Sequence, residues 1–271
     1  MHLAAADAQQ GAPRLAMLGL VAALALATSG CLTRGPATTG SIDPTRVAAM
    51  SERDLRASAD SLARRNAANP TEPRTAIAYA AVLRRLDQRA QAVAVLQQAA
   101  VRNPSDRALM GAYGRALADS GRLREAQEVL ARAHSPQQPD WRILSAQGTV
   151  ADQLGDQARA QELYQAALNL APGEPSVLSN FGLSLALSRK LPEAEAKLRT
   201  AAADPRADQR VRQNLALVLG LQGKFDEAEG VLARDLSPNE VADSIAAIRS
   251  MITQEDSWAR LRASDASRPR R

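Results

Sequence analysis

Side chains able to do covalent or acid–base chemistry are scarce in this 271-residue chain. It has two histidines, His2 and His134, and one cysteine, Cys31. A lone cysteine can be a nucleophile or an attachment point. It cannot close an intrachain disulfide or build a multi-cysteine zinc or iron–sulfur centre. Two histidines, with no His-Glu-x-x-His motif, leave too few ligands for a metal. The carboxylates Glu125, Glu193 and Glu227 recur at multiples of 34 residues, which marks a repeat rather than an acid–base pair. Residues 35–41 have the spacing of a phosphate-binding loop but neither its lysine nor a preceding strand. The expectation is a non-enzyme without metal, cofactor or small-molecule substrate.

Cys31 is best explained by the residues before it. Arg14 is followed by thirteen apolar residues, 15–27, shorter than the roughly 18–20 a membrane-spanning helix needs and arranged as a secretory signal. The next residues, Thr28-Ser29-Gly30-Cys31, resemble a bacterial lipobox, with Thr28 where that motif usually has Leu. The resemblance implies a signal peptide over 1–30 and lipid attachment at Cys31; a plain signal beside an incidental cysteine is the competing reading. Each buried methylene contributes about 0.8 kcal/mol, so several acyl chains make a durable anchor. Leu32 follows the cysteine where an Asp would imply inner-membrane retention, so the resemblance points to the outer membrane, facing the periplasm. Residues 31–50, rich in Gly, Pro, Ser and Thr near their start, read as a flexible tether.

Composition narrows the fold of the chain beyond the tether. Hydrophobic residues make up 45% but aromatics 3%, so the core must be Ala, Leu and Val, which favours close helix packing. Blocks beginning at Pro73, Arg107, Trp141, Pro175 and Gln209 align without gaps at a period of 34. Position twenty is then Ala92, Ala126, Ala160, Ala194 and Ala228, and position eight is Ala80, Gly114, Gly148, Gly182 and Ala216. Position twenty-four is Leu96, Leu130, Tyr164, Leu198 and Leu232, and position seven is bulky in four blocks. This pattern resembles the tetratricopeptide repeat, which implies an all-α superhelical solenoid of about five helix pairs over 73–235. Departures include Arg212, at a position usually apolar, and Asp235, where four other blocks have Ala. Six of the seven aromatics fall in the repeats and are expected in the core.

A solenoid needs caps. Residues 51–72 read as a leading, degenerate repeat helix with Ser51 as N-cap. Residues 236–254 read as a closing helix whose face is Val241, Ile245, Ile248 and Ile252, begun by a capping box at Ser237 and Glu240. Residues 255–271 are expected to be a basic, disordered tail. Within it, 258–271 holds five Arg against one Asp, most of the chain's net charge of +5. That tail is either simply solvated or docks on anionic headgroups, glycolipid or an acidic partner.

The resemblance also implies that the first helix of each repeat lines a groove through positions two, five, six, nine, twelve and thirteen. On this chain the candidates for partner binding are Arg84, Arg115, Asn180, Arg210 and Asn214, with Ala118 expected on the open surface; the alternative is that these are solvated residues. Nucleic acid is not expected, because single-strand binders need exposed aromatics. The order of lipobox, tether, leading helix, repeat array and closing segment SPNEVADSIAAIRSMI resembles the TadD lipoproteins of tight-adherence (Flp) pilus systems. That resemblance implies an outer-membrane-anchored scaffold for assembling the pilus secretion machine, with the secretin or its associated proteins as partners. A scaffold or holdase for another envelope system, such as type IV pilus secretin or outer-membrane protein assembly, is the alternative.

Overall fold

The structure, a computed structural model, describes residues 50–266, with side chains to residue 253. Cys31, the expected signal segment and the tether to residue 49 lie outside the described residues. The described residues form twelve helices and no strand. A leading helix α1 (Glu52–Ala68) precedes five antiparallel pairs: α2 (Pro73–Arg85) with α3 (Arg89–Arg102), α4 (Arg107–Asp119) with α5 (Leu123–Ala133), α6 (Trp141–Gln153) with α7 (Gln157–Leu170), α8 (Pro175–Leu187) with α9 (Leu191–Ala203), and α10 (Gln209–Leu221) with α11 (Phe225–Leu232). Helix α12 (Pro238–Ala266) closes the stack.

Each first helix begins where the 34-residue blocks begin, and a carboxylate stands just before all five: Glu72, Asp106, Asp140, Glu174 and Asp208. Four of them accept backbone N–H groups of the first turn, for example Leu109 N to Asp106 at 2.9 Å. Such a cap satisfies donors the helix itself cannot and places negative charge at the positive end of its dipole. Glu174 instead accepts from the Ser176 hydroxyl at 2.9 Å and from Arg206. Between the helices of a pair, position fifteen takes positive φ in every block: Gly121, Gly155 and Gly223, and also Asp87 and Arg189. The left-handed turn is thus a property of the repeat, which glycine fills without strain in three blocks.

Packing within each pair depends on position eight. A Cβ on Gly148 would lie 2.7 Å from Tyr164 Cε1, and one on Gly114 2.5 Å from Leu130 Cγ. At Gly182 the same clash arises with Leu198 Cγ at 2.6 Å. The side chain pressed against position eight is therefore that of position twenty-four, with the position-twenty backbone close behind it at Gly182, where Ala194 O lies 3.1 Å from the Cβ position. The position-twenty alanines Ala92, Ala126, Ala160, Ala194 and Ala228 are all fully buried beside it.

Four of the six repeat aromatics are buried: Tyr79, Tyr113, Tyr164 and Phe181. Trp141 and Phe225 are half-buried, each under a guanidinium, Arg142 at 4.5 Å and Arg249 at 3.7 Å from the ring centre. Both pack against the core cluster from its margin, each with a cation over its ring. The apolar interior forms two clusters that divide within α6: Ile143, Ala146 and Val150 pack with the preceding repeats, Leu144 and Ala151 with the following ones. In this block position seven is Gln147, which donates to the Leu130 carbonyl at 3.3 Å instead of bridging the two clusters with apolar surface.

At the start, Ser51 accepts from Asp54 N, and Leu55 and Leu62 are buried against the first repeat. At the end, Glu240 accepts from Ser237 N at 2.8 Å, while the serine hydroxyl donates to the same carboxylate. Val241, Ile245 and Ile248 are buried, and Ile248 reaches into the space left by Gly220, where a Cβ would lie 2.5 Å from its Cγ2. The closing helix runs to Ala266, beyond the expected end at 254. Residues 255–266 are thus helical rather than irregular, because no Gly or Pro occurs from 239 to 268 to stop the helix.

The departures at Arg212 and Asp235 explain each other. Arg212 forms a bidentate ion pair with Asp235 (2.5 and 2.8 Å) and donates to the Ala207 carbonyl, with both side chains about four-fifths buried. Two substitutions that would each strand a charge are compatible as a pair.

This packing sets two mutational outcomes. Gly148→Ala and Ala160→Leu should each lower stability by about 1–3 kcal/mol through overpacking, whereas Ala158→Leu on an exposed helix face should change it by about 0.5 kcal/mol or less. Urea denaturation followed by circular dichroism measures all three; equal effects would mean the helix-pair contact is misassigned. In a second series Arg212→Leu alone should cost about 1–3 kcal/mol, and Arg212→Leu combined with Asp235→Ala should recover most of it. Additive losses in that cycle would show that the pair does not act as a unit.

Candidate partner-binding groove

First helices of neighbouring repeats touch one another, and each second helix packs on the first helix of the next repeat. The first helices therefore make a continuous layer, and its outer residues come from one face of α2, α4, α6, α8 and α10. The floor of that face is small: Ala78, Gly111, Ala112, Ser145, Ala146 and Ser179 are buried or glycine. Ala118, expected to be open, is 7% exposed and belongs to the core. The helices lie close enough that position twelve of α4 is covered by its neighbours.

The expected groove residues differ in what holds them. Arg84 is ion-paired with Asp119 of the next repeat, so this cation ties two repeats together. Arg210 is largely exposed and 3.6 Å from Asp208 at the start of its own helix. Asn214 donates to Ser179 Oγ at 3.0 Å, spending one side-chain N–H between repeats, while Asn180 makes no hydrogen bond among the described residues. The structure does not gather the five candidates into one cluster: Arg84 and Arg115 lie in the first two repeats, the others in the last two.

Arg115, midway along α4, stands apart. It is partly buried, and among the described residues it forms neither a hydrogen bond nor an ion pair. Its guanidinium folds over Gly111 one turn back, with Nη1 3.7 Å from where a glycine Cβ would be. Burial, then the positive charges of Arg84 and Arg142, hold its pKa down to about 10, against the opposing pull of Asp140 and Asp119. Both aspartates have other commitments: Asp119 to Arg84, and Asp140 to the Arg142 backbone N–H.

The sequence pattern does not single out two polar clusters, one on the second helices and one reaching the groove positions of α6. Glu195 accepts from Lys224 (2.6 Å), Gln222 (2.8 Å) and Arg199 (2.8 Å), and Arg199 continues to Glu227, joining the fourth repeat to the fifth. The Lys224 hydrogen bond above all, with those of Arg199 and Gln222, pulls the Glu195 pKa down to about 2 despite partial burial. Glu227 thus acts as a structural partner. In the third repeat the Tyr164 hydroxyl donates to Asp152 at 3.0 Å and lies 3.2 Å from the Thr149 hydroxyl, and Ser184 donates to Asp152 at 2.7 Å. Burial raises the Asp152 pKa in spite of those donors. The sequence signal for Glu195 is a carboxylate one turn into the second helix of its repeat with a lysine 29 residues on, which no period-34 comparison highlights.

Among the described residues no group of three or more His, Cys, Asp or Glu side chains is placed to hold a metal ion. His134 ends α5, its Nδ1 buried without a hydrogen-bond partner. No described helix is long and apolar enough to cross a membrane.

A family model of the tetratricopeptide repeat matches residues 142–174, one residue inside the third 34-residue block. No curated protein matches the sequence. Among solved structures, the chain is similar to the APC/C hetero-tetramer Cut9–Hcn1, at 17% identity and TM-score 0.59, over 77% of this chain and 43% of that one. It thus spans less than half the length of that relative. It is also similar to PilW, a widely conserved type IV pilus biogenesis factor, at 17% identity and TM-score 0.58, over 72% of this chain and 91% of PilW. PilF of Pseudomonas aeruginosa matches at 18% identity and TM-score 0.53, over 72% of this chain and 90% of PilF. At these identities the likeness is one of fold: an all-α solenoid of tetratricopeptide type.

The Glu195 cluster yields a pH dependence. Its folded pKa lies below the unfolded value of about 4.5, so its contribution is complete above that pH and disappears as pH falls toward 2. Glu195→Gln should therefore reduce the urea midpoint near neutral pH, and the gap between variant and wild type should close between pH ~4.5 and ~2. A gap independent of pH across that window would remove the ion-pair account.

Proposed function

We propose that this protein is a lipid-anchored docking scaffold of the cell envelope that helps assemble a pilus secretion machine, with the tight-adherence (Flp) system as the specific setting. The observation that carries this is one of extent. The described array matches PilW and PilF over about nine-tenths of their length, so the two share a whole repeat array with this chain and not merely one stretch of a longer solenoid. The lipobox-like Thr28-Ser29-Gly30-Cys31 supports attachment at Cys31, and the sequence around it supports an outer-membrane, periplasm-facing location. The secretin, or a protein associated with it, fits as partner because a solenoid face binds by shape and needs no chemistry of its own. The same likeness favours one second reading, a scaffold for the type IV pilus.

Crosslinking and co-purification of the tagged protein from native membranes tests both readings, alongside Cys31→Ser. Tight-adherence secretin or gate proteins should accompany the wild type and be lost with the serine variant. Recovery of type IV pilus components would transfer the assignment to the second reading. Unchanged recovery from the serine variant would overturn the role of the anchor.

A further inference from the structure

We propose that the first three repeats form a binding site for an acidic peptide segment, with the Arg115 guanidinium as the fork that receives a carboxylate. The inference deepens the docking role proposed above and rests on it.

The electrostatics of the array support it first. Many cations around the repeats are paired, Arg122 with Glu125, Arg159 with Glu162, Arg199 with Glu195 and Glu227, Arg206 with Asp204 and Arg212 with Asp235. Those without a pair among the described residues, such as Arg74, Arg102, Arg124 and Arg132, are exposed. Arg115 departs from this. It is partly buried, lacks any hydrogen-bond acceptor among the described residues, and sits in the field of two further arginines. A guanidinium carries five N–H donors, and partial burial without an acceptor costs it part of its hydration with nothing gained in return. An incoming carboxylate supplies two acceptors in the matching planar geometry and relieves the repulsion from Arg84 and Arg142.

Local shape supports it second. Gly111 provides the shelf on which the guanidinium rests, and Ile143 of the next repeat stands beside that shelf, 3.4 Å from the missing Cβ position. At positions five and six of these repeats Ala78, Ala112, Ser145 and Ala146 keep the floor low, with the partly buried Ile77 the one larger side chain. A flat, small-residue floor admits an extended main chain and leaves the charge to fix its register. Arg142, stacked on Trp141 at the edge of α6, offers a second cation for a neighbouring acidic residue.

A carboxylate is favoured over a phosphodiester by what the face lacks. None of the groove positions in these repeats carries an aromatic side chain, since Tyr79 and Tyr113 are buried at position seven. The half-buried Trp141 at the edge has Arg142 over its ring, so single-stranded nucleic acid would find no row of open rings to stack on.

Fluorescence anisotropy on the full-length chain in mild detergent tests the site. The probes are a labelled peptide of alternating Glu and Gly, the same peptide with Gln for Glu, and an oligoadenylate RNA. The Glu peptide should bind, weaken with added salt, and lose about tenfold in affinity with Arg115→Gln. Arg115→Lys should fall between, keeping the charge without the fork, and Arg249→Gln on the closing helix should leave binding unchanged. Arg115→Gln should also leave the thermal midpoint the same or raise it, because the unpaired guanidinium is there for a ligand. A lowered midpoint, with binding lost in proportion, would make Arg115 structural and overturn the proposal. Equal binding of the Glu and Gln peptides would overturn it while leaving the groove as a docking face. Tighter, Arg115-dependent binding of the RNA, or no binding of the Glu peptide, would overturn it as well. None of these results depends on which envelope machine the membrane crosslinking identifies, so the two readings can fail separately.

Discussion

Everything in this array depends on how closely the two helices of a repeat approach one another. Where position eight is glycine, the facing Leu or Tyr comes within 2.5–2.7 Å of where a Cβ would stand, so the helices are nearer than even alanine permits. The first and last blocks have Ala80 and Ala216 there, both fully buried. A fixed helix-pair geometry repeated every 34 residues makes each interface between pairs the same, and that sameness lets them stack into one layered solid. The closing helix uses the same device, since Ile248 occupies the gap at Gly220 that the next repeat would otherwise address. An array built on close approach has little tolerance for bulk at these positions and much at its surface.

The same constraint shapes the groove. Because first helices of neighbouring repeats touch, positions five and six of the second and third repeats hold only Gly, Ala and Ser, and Ala118 is sealed in. Long side chains can persist only where a small neighbour yields room, as Gly111 does for Arg115. Locally consistent choices describe most of the molecule: capped first helices, buried alanines, and arginines that are either paired or exposed. Arg115 is inconsistent with them, and such exceptions concentrate where a protein meets something else.

The period, the block boundaries and the small-residue positions are legible in the sequence, because Gly and Ala at fixed spacing are demanded by sterics and have few substitutes. The carboxylate before each first helix is equally present, at Glu72, Asp106, Asp140, Glu174 and Asp208. Its role stays hidden there because acidic residues are common on surfaces and capping shows only with backbone geometry. The groove is the least legible part. Being on the face of a first helix does not say whether a cation is already spent: Arg84 is committed to Asp119, Arg210 lies beside Asp208, and Arg115 has no such partner among the described residues. That distinction depends on side chains about 35 residues apart, and no local pattern encodes it. The helix end beyond 254 eludes a reading that equates charge with disorder, whereas Arg, Ala, Leu and Glu are all good helix formers.

Arg212 and Asp235 show how such an array can change its sequence without changing its shape. Taken singly, an arginine at position four or an aspartate at position twenty-seven contradicts the repeat, and each would leave a mostly buried charge unmatched. Together they replace apolar contact with a bidentate ion pair, and the Arg212 Nη1 donates to the Ala207 carbonyl as a third contact. The requirement at those positions is thus complementarity between two sites 23 residues apart, with apolar contact as one way to meet it. Positions eight and twenty have no such freedom, because no partner substitution can remove the volume of an added side chain between helices in contact. Chains of this fold are correspondingly divergent, with identities near 17% to this one. The residues that remain free to change are those that pair across the surface and those that face the groove.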